Sequence, residues 1–85
     1  MEYTLDGNVL HGRSFAFPLD SVDFVTWKYN PETKLYWLKF HFTSKEVRIR
    51  VSLEELNHIL GSWFGIEFDI NQYKNGDEYE LVNNR

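Results

Sequence analysis

Apolar and polar residues alternate from Leu35 to Phe42 and again from Glu46 to Val51, and a period of two across adjacent runs predicts a β-hairpin turning at Ser44-Lys45. The expected register pairs Phe42 with Val47, Phe40 with Ile49 and Leu38 with Val51, which makes one face wholly apolar. The same register sets His41 opposite Arg48, Lys39 opposite Arg50 and Trp37 opposite Ser52 on the other face. A slip of one residue would exchange the two faces, so the apolar pattern constrains the pairing strongly.

Alternation also marks the flanking segments. Tyr3 to Leu5 and Val9 to Phe17 surround the turn signal Asp6-Gly7-Asn8, which predicts a first hairpin with Gly12 as a bulge in its longer arm. Pro18-Leu19-Asp20-Ser21 interrupts the pattern, and Val22 to Tyr29 resumes it with the β-formers Val22, Phe24, Val25, Thr26, Trp27 and Tyr29. Asn30-Pro31-Glu32-Thr33-Lys34 then forms a loop: proline suits the first central position of a type I turn, and the Asn30 side chain can cap it. The stretch Tyr29 to Tyr36 resembles the second-hairpin loop of the immunoglobulin-binding domains of streptococcal protein G, in which two aromatics also flank six loop residues. The resemblance covers turn chemistry alone and implies no shared function. It implies that Tyr29 faces Tyr36, Trp27 faces Leu38 and Val25 faces Phe40, with Phe24 and Lys28 on the basic face. A register shifted by one would bury Phe24 and Val22 instead.

Helical periodicity replaces alternation after Val51. Ser52-Leu53-Glu54-Glu55 is a capping box, and both glutamates suit the positive end of a helix starting at Leu53. Leu53, Leu56, Leu60 and Trp63 form one stripe, with Ile59 and Phe64 at its margins and Gly65 placed to end the helix. Beyond it, Ile66, Phe68 and Ile70 alternate with polar residues, and Asn75-Gly76 signals a final hairpin reaching to about Val82, the competing reading being a short helical turn opened by Asp69. The order β-β-β-β-β-α-β-β gives an α+β fold: a mostly antiparallel β-sheet of about five to seven strands packed by a single amphipathic α-helix at about residues 53–64.

Composition narrows the classes. The 85 residues suit a single compact domain, 1–85, and 42% hydrophobic with 18% aromatic residues is ample core material. With no cysteine, disulfides, thiolate metal sites and thiol nucleophiles are excluded. The chain opens without the basic-then-apolar pattern of a secretory signal and has no run long enough to span a bilayer, so a soluble, cytoplasmic protein with no membrane partner is expected.

The net charge of −4 is unevenly distributed: Lys28 to Arg50 holds six basic residues (Lys28, Lys34, Lys39, Lys45, Arg48, Arg50) against Glu32 and Glu46, a local excess of +4, and the remainder carries −8. Such a layout favours an oriented encounter with a partner.

Trp37, Lys39, His41, Arg48 and Arg50 are the candidate binding residues, because cations beside aromatics on one face are the chemistry of a macromolecular interface or of a single-stranded nucleic-acid platform. Lysine and arginine stems also cover the solvent face of many antiparallel sheets without further role. The overall acidity weighs against nucleic acid, whose affinity rests on many phosphate contacts. The three histidines, His11, His41 and His58, sit on separate elements without metal-ligand spacing, so no metal is expected. No nucleophile elbow or phosphate-cradling glycine loop occurs, and no cofactor is expected. Glu54-Glu55 is explained by its place at the helix start, and the acidic residues Glu67, Asp69, Asp77, Glu78 and Glu80 read as a solvated hairpin or as a patch for a basic partner.

These features predict a small non-enzymatic interaction protein that binds another protein or protein complex. A phage- or mobile-element-encoded inhibitor or accessory factor fits the size and charge, and a homodimer is a further form it could take. The alternative is a single-stranded nucleic-acid binder using the basic and aromatic sheet face.

Overall fold

The computed structural model describes residues 3–65 and 76–83. It is an α+β fold whose strands form two antiparallel sheets, with one helix packed on them. The first sheet contains β1 (Tyr3–Asp6), β2 (Val9–Gly12) and β3 (Ala16–Pro18) in that order. The second contains β4 (Phe24–Asn30), β5 (Leu35–His41), β6 (Glu46–Val51) and β7 (Glu78–Val82), in the order β6-β5-β4-β7. A single turn of 3-10 helix, Leu19–Ser21, joins the sheets, and α1 (Leu53–Phe64) follows β6 directly.

The expected single long arm from Val9 to Phe17 is two strands. His11 pairs with Ala16, the Gly12 amide donates to the Phe15 carbonyl at 2.8 Å, and Arg13-Ser14 forms the tip of a tight turn rather than a bulged strand. A Cβ at position 12 would overlap the Phe15 ring, so a larger residue there would have to displace that side chain. At the preceding turn, Gly7 adopts φ 61°, a left-handed conformation in which glycine is unstrained.

Of the two registers the sequence left open, the β4-β5 hairpin has the one implied by the loop resemblance: Tyr29 faces Tyr36, Trp27 faces Leu38 and Val25 faces Phe40. Its loop is capped as expected, the Asn30 side chain accepting from the Glu32 amide at 3.0 Å. The β5-β6 register differs from expectation by two residues. Leu38 pairs with Ile49 rather than Val51, and Phe40 with Val47 rather than Ile49. Phe42 leaves the ladder, donates its amide to the Lys45 carbonyl at 2.8 Å and packs edge-on against Phe17, with ring centroids 5.0 Å apart. An even shift preserves the faces but changes every partner across the strands.

The helix begins at the expected capping box: Ser52 Oγ accepts from the Glu55 amide at 3.2 Å, and Glu55 Oε1 accepts from the Ser52 amide at 3.0 Å. Gly65, at φ 68°, ends it in the left-handed conformation. Leu56, Ile59 and Leu60 are fully buried, so Ile59 lies at the centre of the apolar stripe, with Leu53 and Trp63 at its partly buried edges.

The apolar face of the four-stranded sheet is the floor of the core. Phe40 is met from one side by Phe17 of the first sheet, at 5.2 Å between ring centroids, and from another by Trp63 of the helix, at 6.0 Å. The Tyr3 hydroxyl donates to Glu55, tying the first strand to the start of the helix. The second arm of the expected final hairpin is β7, paired to β4 from Lys28↔Glu78 to Phe24↔Val82, and the rest of that hairpin and its helical alternative fall outside the described residues. Asn83 secures the end of β7 by donating from its side chain to the Val22 carbonyl at 2.8 Å. No helix among the described residues is long and apolar enough to cross a membrane.

Candidate functional site

The second face of the four-stranded sheet carries the candidate residues. Strand alternation places Phe24, Thr26 and Lys28 of β4, Trp37, Lys39 and His41 of β5, and Glu46, Arg48 and Arg50 of β6 on it, with Glu78, Glu80 and Val82 of β7 along the far edge. The structure gathers Trp37, Arg48 and Arg50. Arg50 lies directly opposite Trp37 in place of the expected Ser52, and its guanidinium carbon is 5.5 Å from the ring centroid. Arg48, diagonal to Trp37, stands over the same indole at 5.8 Å. Both arginines are exposed while Trp37 is half-buried, so the indole serves as a platform that orients two cations.

Lys39 lies opposite Arg48, not Arg50, and so juxtaposes two like charges across the strands. Among the described residues, neither arginine has a carboxylate within ion-pairing distance, the one such pair on this face being His41 with Glu46. The acidic β7 does not compensate them. Three strand spacings separate it from β6, about 14 Å, against a screening length of about 8 Å at physiological salt.

His41 does not join the cluster. It faces Glu46 instead of Arg48, with Nδ1 3.7 Å from a carboxylate oxygen, while Nε2 is 2.9 Å from Thr26 Oγ1. Its ring stacks on Phe24, with centroids 4.2 Å apart and planes 5° from parallel. Both ring nitrogens and one ring face are engaged within the sheet, and Thr26 is buried beneath this arrangement. His41 is therefore a packing residue of the face.

A pocket of about 300 Å³ is lined by Trp37, Arg48, Ile49 and Arg50 together with Arg13, Ser14 and Phe15 from the β2-β3 turn. Sequence reasoning missed the turn residues because Gly12 read as a bulge within one strand. The available signal was the short polar run Gly12-Arg13-Ser14 between two apolar segments. Among the described residues, no carboxylate lines the pocket.

A larger cleft, of about 570 Å³, lies between β1 and the start of α1 and is lined by Tyr3, Thr4, Leu5, Glu54, Glu55 and His58. Its central groups are already committed. Burial, followed by the hydrogen bond to Glu55 and that carboxylate's charge, pushes the Tyr3 phenol far above its ordinary value. Burial alone would raise the Glu55 carboxyl, but hydrogen bonds from Tyr3 and Ser52 outweigh it and hold Glu55 below the ordinary carboxylate range. A capped glutamate accepting from the Tyr3 hydroxyl ties β1 to the start of the helix. Among the described residues no group of histidine and acidic side chains is arranged to hold a metal ion.

Fold and site together define a small α+β module that presents arginines on a tryptophan platform at one edge of an open sheet face. No protein-family model, curated protein or solved structure matches the chain.

Proposed function

We propose that this chain is a non-enzymatic interaction module that binds an acidic surface of a larger protein or complex through Trp37, Lys39, Arg48 and Arg50, and modulates that partner by occupying the surface. The observation that carries this reading is the pair of exposed arginines held over Trp37 with no carboxylate among the described residues within ion-pairing distance. Oriented guanidiniums beside a large aromatic are the groups that concentrate binding energy at protein interfaces, because the ring reduces the freedom a bound arginine must lose. Lys39 beside Arg48 adds an unfavourable contact within the free protein that an acidic partner would relieve.

A nucleic-acid platform is less well supported. Trp37 has two guanidiniums over its ring, where a base would stack, and His41 is already stacked on Phe24. Glu78 and Glu80 on the same face would repel a phosphate backbone that extended across the sheet.

The test is capture from lysate of the native host with tagged wild-type protein and with Arg48→Glu/Arg50→Glu, each split into nuclease-treated and untreated halves. The expected result is one protein recovered at near-stoichiometric yield by the wild type in both halves and lost with the double variant, which still unfolds cooperatively on heating. Recovery of nucleic acid alone, abolished by nuclease, would contradict the proposal.

A further inference from the structure

The pocket beside the arginine cluster differs from the rest of the open face because it is built from two sheets. Arg48, Arg50 and Trp37 come from the four-stranded sheet, whereas Arg13 and Ser14 come from the tip of the β2-β3 turn in the three-stranded one. Residues 35 positions apart in the chain thus bring three arginines and a serine to the lining of one pocket of about 300 Å³, together with Phe15, Trp37 and Ile49 and, among the described residues, no carboxylate. The turn is closed by a hydrogen bond of 2.8 Å and packed by Phe15, which stacks on Phe17 at 5.6 Å between ring centroids. Arg13 is therefore presented from a hydrogen-bonded, packed turn.

The geometry points to this pocket as a binding site for a phosphoryl group carried on a side chain of the partner protein. Three guanidiniums exceed what a single carboxylate can neutralise. A phosphoryl group carries about −1.5 to −2 charge at neutral pH and offers three acceptor oxygens, matching the forked donors of several arginines and a serine hydroxyl. The volume lies at the lower limit of small-molecule pockets, enough for one anionic side-chain end and small for a complete nucleotide. The two arginines over Trp37 also occupy the aromatic surface against which a nucleotide base would bind. The inference rests on the interaction reading above and deepens it by naming the recognised group.

The experiment follows the side-chain N–H resonances of Arg13, Arg48, Arg50 and Trp37 in the full chain while four probes are titrated: inorganic phosphate, acetate, phosphoserine with blocked termini, and adenosine 5′-monophosphate. Phosphate and phosphoserine are expected to shift these four residues saturably. Acetate at equal concentration should not, and the nucleotide should bind no more tightly than phosphoserine. Arg13→Gln, with an unchanged melting temperature, should weaken phosphoserine binding by roughly tenfold or more, the loss of a charge-assisted hydrogen bond. The pocket assignment is overturned if acetate binds as well as phosphate, if the shifts spread equally over Lys28, Lys34 and Lys45, or if Arg13→Gln has no effect. Markedly tighter binding of the nucleotide would overturn the partner side chain as the source. Partner capture that depends on Arg48 and Arg50 but is unaffected by Arg13→Gln would refute the phosphoryl site while leaving the interaction reading in place.

Discussion

Two phenols and a carboxylate show how single side chains set the conditions under which this fold survives. The Tyr3 phenol and the Glu55 carboxylate share a hydrogen bond at the junction of the first strand and the helix, and each is most favourable in one protonation state. The Tyr3 pKa is raised in the folded protein, so its contribution is complete below the ordinary value of 10.0 and is lost as pH rises above it. Tyr36 acts in the same direction: burial, with Tyr29 and Tyr79 nearby, raises its phenol as well. The Glu55 pKa is lowered, so its contribution is present above the ordinary 4.5 and is lost as pH falls through the folded value below that. Chemical denaturation across pH should therefore show stability declining above pH 10 in the wild type and declining less steeply in Tyr3→Phe. The same variant should lose stability at a higher pH on the acid side, because Glu55 no longer receives the phenol hydrogen bond. Equal alkaline slopes for the two proteins would show that Tyr3 ionises as it does in the unfolded chain.

The elements show where a binding surface conflicts with stability. Cross-strand neighbours in an antiparallel pair interact by about 0.2–1 kcal/mol, favourably for opposite charges and unfavourably for like ones. Lys39 opposite Arg48 is such a like pair at the centre of the β5-β6 hairpin. Lys39→Glu should therefore stabilise the protein by about 0.5 kcal/mol in thermal unfolding, a cross-strand repulsion becoming an attraction. The same substitution should weaken partner capture, since it neutralises Arg48 from within. A loss of stability in Lys39→Glu would indicate that the lysine is not in contact with Arg48 as the register requires. The hairpins also show what could be read from the chain. The turn chemistry of Asn30-Pro31 and the flanking tyrosines implied the observed β4-β5 register, but alternation alone also permits one shifted by a residue, so that register was only partly legible. The β5-β6 register was not legible, because Phe42 continues the alternation of β5 yet packs on Phe17, a contact made by a different sheet. Its departure moves Arg50 opposite Trp37 and Glu46 opposite His41, which is why Trp37, Arg48 and Arg50 cluster while His41 stands apart. The contribution of Arg13 was missed for a related reason: the polar run Gly12-Arg13-Ser14 could mark a turn, but which surface that turn meets depends on how the two sheets pack.

The whole molecule carries a graded charge. Glu78 and Glu80 lie at one edge of the open face and Arg48 and Arg50 at the other, within a chain of net charge −4. This arrangement orients an acidic partner toward β6 and repels it from β7, an effect that acts mainly on the association rate and weakens as salt rises. Titrating the captured partner into the isotopically labelled full chain, at low and at physiological salt, tests the central claim most directly. The account predicts that the perturbed resonances centre on Trp37, Arg48 and Arg50, extend to Lys39 and Arg13, and spare the exposed helix residues Glu54 and His58. It also predicts weaker binding at the higher salt concentration. Perturbations confined to Glu54, His58 and the neighbouring β1, with Trp37 and both arginines unmoved, would contradict it and place the interface on the opposite layer of the fold.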